Sequence, residues 1–179
     1  MLPLGTEAPN FNLLNTVDDT LINLQTAKGK NGTVIMFICN HCPFVIHVNE
    51  MLVKITKSYI DKGIGFIAIS SNDAEGYPQD GPELMKTHAK NVGYPFPYLY
   101  DETQEIAKAY DAACTPDLFV FDSKLELVYR GQLDNSRPGN GLSVTGADIK
   151  HALDCLLENE ENTELQKPSI GCNIKWKLK

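Results

Sequence analysis

Cys39 and Cys42 enclose Asn40-His41, follow the apolar run Val34–Ile38, and precede Pro43 and a long helix-forming pattern. Two thiols at this spacing on a strand-to-helix turn suit a dithiol redox centre. A helix N-terminus presents free N–H groups and the positive end of the peptide dipoles. A thiolate placed there is stabilised, so its pKa falls. The spacing puts Cys39 at that N-terminus and Cys42 one turn into the helix, near enough to close a small disulfide ring. His41 lies between them, and a positive imidazole there favours the Cys39 thiolate and makes the disulfide more oxidising. A loop histidine turned to solvent has no such effect. Cys-x-x-Cys also serves zinc sites. His47 would be the third ligand of such a site, but its place on the polar side of the helix points it to solvent.

The other three cysteines, Cys114, Cys155 and Cys172, stand alone in a chain of 179 residues. An odd count in a chain this long is not a secreted disulfide framework, and single cysteines are by default small buried hydrophobes. Cys114 and Cys172 are candidate auxiliary thiols. A relay or a Cys114–Cys172 bridge is one reading, and two ordinary thiols is the other. A net charge of −7 argues against nucleic acid or anionic membranes as partners. No basic and apolar leader opens the chain, and no apolar run reaches membrane-spanning length, so a soluble cytoplasmic protein is expected.

The elements that must position the pair follow from periodicity. Ala8–Leu13 alternates apolar and polar and pairs with Leu21–Leu24 as an N-terminal hairpin. Val34–Ile38 and Ile64–Ser70 read as buried strands joined by a helix whose apolar positions are Phe44, Val48, Leu52, Ile55 and Tyr59, with Gly63 ending it. A strand–helix–strand unit of this length makes a right-handed crossover and a parallel pair. A helix is expected over Glu83–Asn91. Asp101-x-x-Gln104 reads as a capping box for another running to Tyr110. Asp117–Asp122 and Leu125–Tyr129 form a hairpin, and Ile149 to Leu157 the apolar stripe of a last helix. The expected fold is α/β: a thioredoxin-like three-layer sandwich with helices on both faces of a mixed sheet. Its boundaries are 1–160 for the redox domain and 161–179 for a tail that docks back, with Trp176 as its anchor.

With the dithiol on that turn and Thr115-Pro116 just before a strand, the chain resembles the thioredoxin superfamily. Ala8-Pro9-x-Phe11-x-Leu13 resembles the peroxiredoxin and redoxin branch. Cys39-Asn40-His41-Cys42-Pro43-Phe44-Val45, Ser71-Asn72-Asp73, Cys114-Thr115-Pro116-Asp117 and Pro168-Ser169-Ile170-Gly171-Cys172 resemble a group of thioredoxin-family proteins named by similarity to alkyl hydroperoxide reductases. The resemblance implies that Cys39 is the exposed nucleophile, Cys42 the buried resolving thiol and Pro116 a cis-proline. The Thr115 backbone beside it would pair with an extended substrate. The chain departs from thioredoxin at Ile38, where a Trp is usual, and at Thr33, where a buried Asp is usual. The ordinary proton acceptor for the resolving thiol is therefore missing. Glu50 is a stand-in, although its spacing puts it on the polar face. Met36 replaces the Thr of the peroxiredoxin motif.

The activity these readings imply is thiol–disulfide exchange by Cys39 and Cys42, tuned by Asn40 and His41, with Thr115 and Pro116 binding substrate. The alternatives are a thiol peroxidase and a metal-binding or metallochaperone module. Exchange needs no cofactor. Its partners are protein or small-molecule disulfides and thiols, with a thiol reductant system.

Overall fold

In a computed structural model that describes residues 2–178, the chain forms nine strands and five α-helices. Met1 and Lys179, the outer ends of the two expected segments, lie outside the described residues. In chain order the elements are β1 (Asn12–Asn15), β2 (Thr20–Asn23), α1 (Leu24–Ala27), β3 (Gly32–Phe37), α2 (Pro43–Tyr59), β4 (Ile64–Ser70) and α3 (Pro82–Val92). Then come β5 (Tyr98–Tyr100), α4 (Glu105–Ala109), β6 (Cys114–Thr115), β7 (Asp117–Asp122), β8 (Leu127–Gly131), α5 (Ala147–Glu158) and β9 (Cys172–Asn173). Seven strands make one mixed sheet in the order β2-β1-β5-β4-β3-β7-β8, and β6 pairs with β9 apart from it. No helix among the described residues is long and apolar enough to cross a membrane.

The unbroken apolar run of β3 explains its central place. Val34 and Met36 face a cluster built with Val48, Leu52 and Ile55 of α2 and Ile149 and Leu153 of α5. Ile35 and Phe37 face the opposite cluster, with Leu24, Ala107 and Tyr110. A strand covered on both faces must be apolar on both. β3 runs parallel to β4 and antiparallel to β7. The C-terminal ends of β3 and β4 and the N-terminal end of β7 therefore lie together, and the Cys39 turn, the Ser71–Gly81 loop and the Thr115-Pro116 loop meet at that edge. This is a thioredoxin-like α/β sandwich.

Three expectations need correction. The hairpin is shorter and later than the alternation implied, pairing Asn12–Asn15 with Thr20–Asn23. Asp101 does cap α4, its carboxylate accepting from the Ile106 (3.4 Å) and Ala107 (3.0 Å) N–H groups, but Gln104 closes no box with it. Gln104 is itself the N-cap of α4, with a left-handed φ of 63°. Its Nε2 donates to the carbonyls of Ser71 (2.6 Å) and Lys175 (2.9 Å), and its Oε1 accepts from the Lys177 N–H (2.9 Å). The tail is thus held by a side chain that sequence assigned to a helix start. Its apolar anchor is Ile174, 1% exposed, while Trp176 stays 41% exposed beside Lys108. Burying an Ile contributes about 1.5–3 kcal/mol.

Gln104→Ala removes two hydrogen bonds to the tail and one to the Ser71 carbonyl, at roughly 1–3 kcal/mol for each partner stranded away from water. Hydrogen exchange at Lys175 and Lys177 is expected to quicken at least several-fold while β3 and β4 stay protected. Unchanged exchange in the tail would rule out Gln104 as its clasp.

Candidate active site

The helix after the dithiol begins at Pro43, with Cys42 in the N-cap position at φ −67° and ψ 120°. Cys39 lies three residues earlier, in the turn leaving β3. The helix N-terminus therefore serves Cys42 first, not Cys39. Neither sulfur is exposed: Cys39 is 1% and Cys42 0% accessible, against the expectation of an exposed nucleophile. Segments distant in sequence cover both, and all five cysteines are free thiols.

Thr115 joins the pair. A cis peptide bond links it to Pro116. Its Oγ1 lies 3.5 Å from Cys39 Sγ, and its carbonyl accepts from the Cys42 thiol at 3.1 Å. On the other side of the turn, the Asn40 N–H donates to Asp80 Oδ1 (2.9 Å) and its Nδ2 to the Gln79 carbonyl (2.8 Å). The Tyr98 hydroxyl donates to Asn40 Oδ1 at 3.1 Å. Asn40 is thereby fixed on three sides and holds the turn that carries Cys39.

Asp80 was missed by the sequence reading. It is fully buried, and its Oδ2 accepts from Asn72 Nδ2 (2.8 Å) and lies 2.6 Å from His41 Nδ1. The His41 approach is out of line for a hydrogen bond, and its Nδ1 has no such partner among the described residues. The His41 ring stacks on Tyr77 with centroids 5.7 Å apart. An acid does stand beside the dithiol, supplied by the loop after β4 in place of the position Thr33 occupies. Glu50 is excluded as its stand-in: it is 82% exposed and paired with Lys54.

The two thiols titrate as a pair. The hydrogen bond between them holds the Cys42 thiol low, assisted by Cys172 and Thr115 against the opposing effect of burial. The same bond, then burial and the Asp80 charge, pushes the Cys39 thiol far up. One proton leaves the pair readily and the second does not. Asp80 opposes charge on Cys39, and the helix N-terminus favours it on Cys42. Thr115 offers the other arrangement too, because its carbonyl can take a Cys42 S–H while its hydroxyl faces Cys39.

Cys39, His41 and Asp80 offer one sulfur, one nitrogen and one oxygen within 4.8 Å of one another. Asp80 already accepts from Asn40 and Asn72, however, so its carboxylate is satisfied without an ion. His47, which a zinc site would take as its third ligand and which its spacing pointed to solvent, contacts Ser136 Oγ at 2.7 Å. Arg130 is buried, pairing with Asp111 and Asp117 at 3.2 Å each, and does not point to the dithiol.

The tail completes the site. Thr115 pairs with Cys172 and Cys114 with Asn173 in the β6–β9 ladder. Neighbouring residues on a strand point to opposite faces. Cys172 therefore shares the face of Thr115, and Cys114 takes the other. A Cys114–Cys172 bridge does not fit that register.

A redoxin family model matches residues 3–149, and the chain belongs to the redoxin family. An uncharacterized conserved protein from Geobacillus kaustophilus is 62% identical, over 99% of this chain and 94% of that one, with a TM-score of 0.97. A hypothetical protein from Sinorhizobium meliloti is 45% identical over 99% and 96%, with a TM-score of 0.96. The thioredoxin domain of a thiol-disulfide oxidoreductase from Bacteroides vulgatus shares the fold at 17% identity, over 73% of this chain and 89% of that one, with a TM-score of 0.62. None of the curated proteins matches.

Asp80→Asn removes the charge that opposes thiolate at Cys39, so the thiol pair becomes more acidic and its disulfide more oxidising. His41→Ala removes the ring that lies 2.6 Å from Asp80 and is expected to shift both the opposite way. A tenfold change in thiol acidity corresponds to about 30 mV. Thiolate ultraviolet absorbance and redox equilibration with glutathione read both effects, and equal values in the two variants would remove Asp80 and His41 from the tuning.

Proposed function

We propose that this redoxin is a thiol–disulfide oxidoreductase working through Cys39 and Cys42. The observation that carries the reading is the placement of two buried thiols against one residue, with the Thr115 hydroxyl beside Cys39 and its carbonyl beside Cys42. The two sulfurs share one proton once the pair has ionised, and a charge on Cys42 leaves that proton on Cys39. Transfer of that proton along the bond yields a Cys39 thiolate facing the Thr115 hydroxyl and a Cys42 S–H facing the Thr115 carbonyl. Both ends of the transfer have a partner, so no separate base is needed.

The Cys39 thiolate attacks one sulfur of a substrate disulfide, forming a mixed disulfide and expelling the other sulfur as a thiolate. That leaving thiolate takes up the Cys42 proton. Cys42 then attacks the Cys39 sulfur, the Cys39–Cys42 bond forms, and the second substrate thiolate leaves. Two electrons pass to the substrate, and a thiol reductant restores the pair. A reducing cytoplasm suits a cycle that starts from the dithiol. Peroxide reduction draws less support, since a sulfur attacking an O–O bond benefits from a cation nearby. Cys39 has the Asp80 carboxylate there, His41 is turned to that carboxylate at 2.6 Å, and Arg130 is spent on Asp111 and Asp117.

Cys39→Ser is expected to lose reduction of a model protein disulfide, and Cys42→Ser to accumulate a mixed disulfide on Cys39 that mass spectrometry locates. Full turnover in Cys39→Ser would overturn the mechanism. Stopped-flow oxidation by hydrogen peroxide is expected to run no faster than with free cysteine. Stoichiometric zinc in the reduced, purified protein would favour the metal-binding alternative.

A further inference from the structure

The β6 edge has one partner, and it belongs to the same chain. Among the described residues, β6 pairs only with β9. An unpaired strand edge accepts an added strand through its free N–H and C=O groups, and here Cys172–Asn173 fills that place. The fit is close. A methyl group added at Gly171 would collide with the Thr115 carbonyl and its carbon.

The register also fixes where the tail's sulfur goes. Directly opposed residues on antiparallel strands place their side chains on one face, with Cβ atoms about 4.5–5.5 Å apart. Thr115 turns its hydroxyl toward Cys39, so Cys172 stands on the dithiol's side of the ladder. It packs against the core cluster that contains Cys39 and Cys42. Cys172 is also the only one of the five cysteines that is not buried.

We propose that the tail strand is a resident, intramolecular substrate: Cys172 exchanges disulfide with Cys42, and while seated it closes the Thr115 edge to other strands. The proposal rests on the oxidoreductase reading. Starting from the Cys39–Cys42 disulfide, the Cys172 thiolate attacks the Cys42 sulfur. The Cys42–Cys172 bond forms, the Cys39–Cys42 bond breaks, and Cys39 leaves as a thiolate that takes the proton Cys172 gave up. No electrons are gained or lost, so no further oxidant or reductant is required. Oxidising equivalents thereby move from the fully buried pair to a sulfur that reaches solvent. Burial, then Cys42, holds the Cys172 thiol up at about 11, as for a thiol donating to a neighbouring thiolate.

The test treats reduced Cys39→Ser with oxidised glutathione, blocks free thiols with iodoacetamide, and maps the bonds by mass spectrometry. Glutathione disulfide supplies the oxidant: one cysteine forms a mixed disulfide, and the other displaces glutathione. A Cys42–Cys172 bond with Cys114 and Cys155 alkylated is the expected result. Cys42 left glutathionylated beside an alkylated Cys172 would overturn the proposal. The wild-type protein in parallel separates the two readings. A Cys39–Cys42 bond there, or a Cys42–Cys172 bond that replaces it, keeps the oxidoreductase reading, and the absence of both bonds sinks both.

Gly171→Ala provides the second arm, since it displaces the strand without altering a cysteine. Reduction of a protein disulfide is expected to rise about tenfold, corresponding to about 1.4 kcal/mol of strand docking, while a small cyclic disulfide reacts at the wild-type rate. Equal rates for wild type and variant on the protein disulfide would show that the tail does not occupy the substrate's edge.

Discussion

Thr115 is the residue on which the site depends, because three separate groups of it are committed within one buried volume. Its hydroxyl faces Cys39, its carbonyl faces Cys42, and its strand edge pairs with Cys172. A buried donor or acceptor without a partner costs about 1–3 kcal/mol. The two sulfurs and the tail are therefore not independent features that share a neighbourhood. A proton moving from Cys39 to Cys42 finds acceptor and donor on the same residue, and a strand leaving the edge exposes the residue that holds both thiols.

The second constraint is electrostatic. A fully buried carboxylate is costly unless it is hydrogen-bonded, and Asp80 is held by the Asn40 N–H and the Asn72 amide with His41 alongside. Asn72 also accepts from the Lys175 N–H at 2.9 Å, and the Lys175 ammonium lies over the Tyr77 ring on which His41 stacks. The charge that opposes a Cys39 thiolate is thus wired to the tail. In this chain it comes from the loop after β4, which frees the Thr33 position to be a small β-branched residue in a covered strand.

The parts of this arrangement that were legible in the sequence are those governed by local periodicity. The apolar run of β3, the stripe of α2, the Gly63 terminus and the hairpin of β7 and β8 each follow from residue spacing, and together they bring the Cys39 turn and the Thr115-Pro116 loop to one edge. Asp80 carries no such signal, because an acid in a long loop looks the same whether it is solvated or buried. A topological clue did exist: β3 and β4 are parallel, so the loop after β4 must lie beside the turn after β3. The Asp101–Gln104 spacing misled because a capping box and a tail clasp use the same residue types, and only tertiary contacts separate them. Trp176 misled through size. The smaller Ile174 is buried, in the cluster of Leu24, Ala107 and Tyr110 and not the one that Cys172 packs against.

How the tail is attached bears on whether its strand can open. It is held on both sides of β9 by unlike contacts. Upstream, the Gln132 N–H donates to the Lys167 carbonyl at 3.0 Å and Ser169 Oγ to the Gly131 carbonyl at 2.7 Å. Downstream, Ile174 is buried, the Asp73 N–H donates to the Lys175 carbonyl at 2.8 Å, and Gln104 clasps Lys175 and Lys177. Between these anchors lies a ladder two residues long. Backbone hydrogen bonds contribute a net of only about 0.5–1.5 kcal/mol each, so the ladder can lift while both anchors hold. Local opening of this kind costs far less than global unfolding. The anchors also keep Cys172 near the dithiol after it lifts, so reclosure is intramolecular and an incoming strand must compete with a high effective concentration. A tail fixed at one end would be lost from the site on opening. One fixed at both ends behaves as a gate, and its sulfur stays within reach of Cys42.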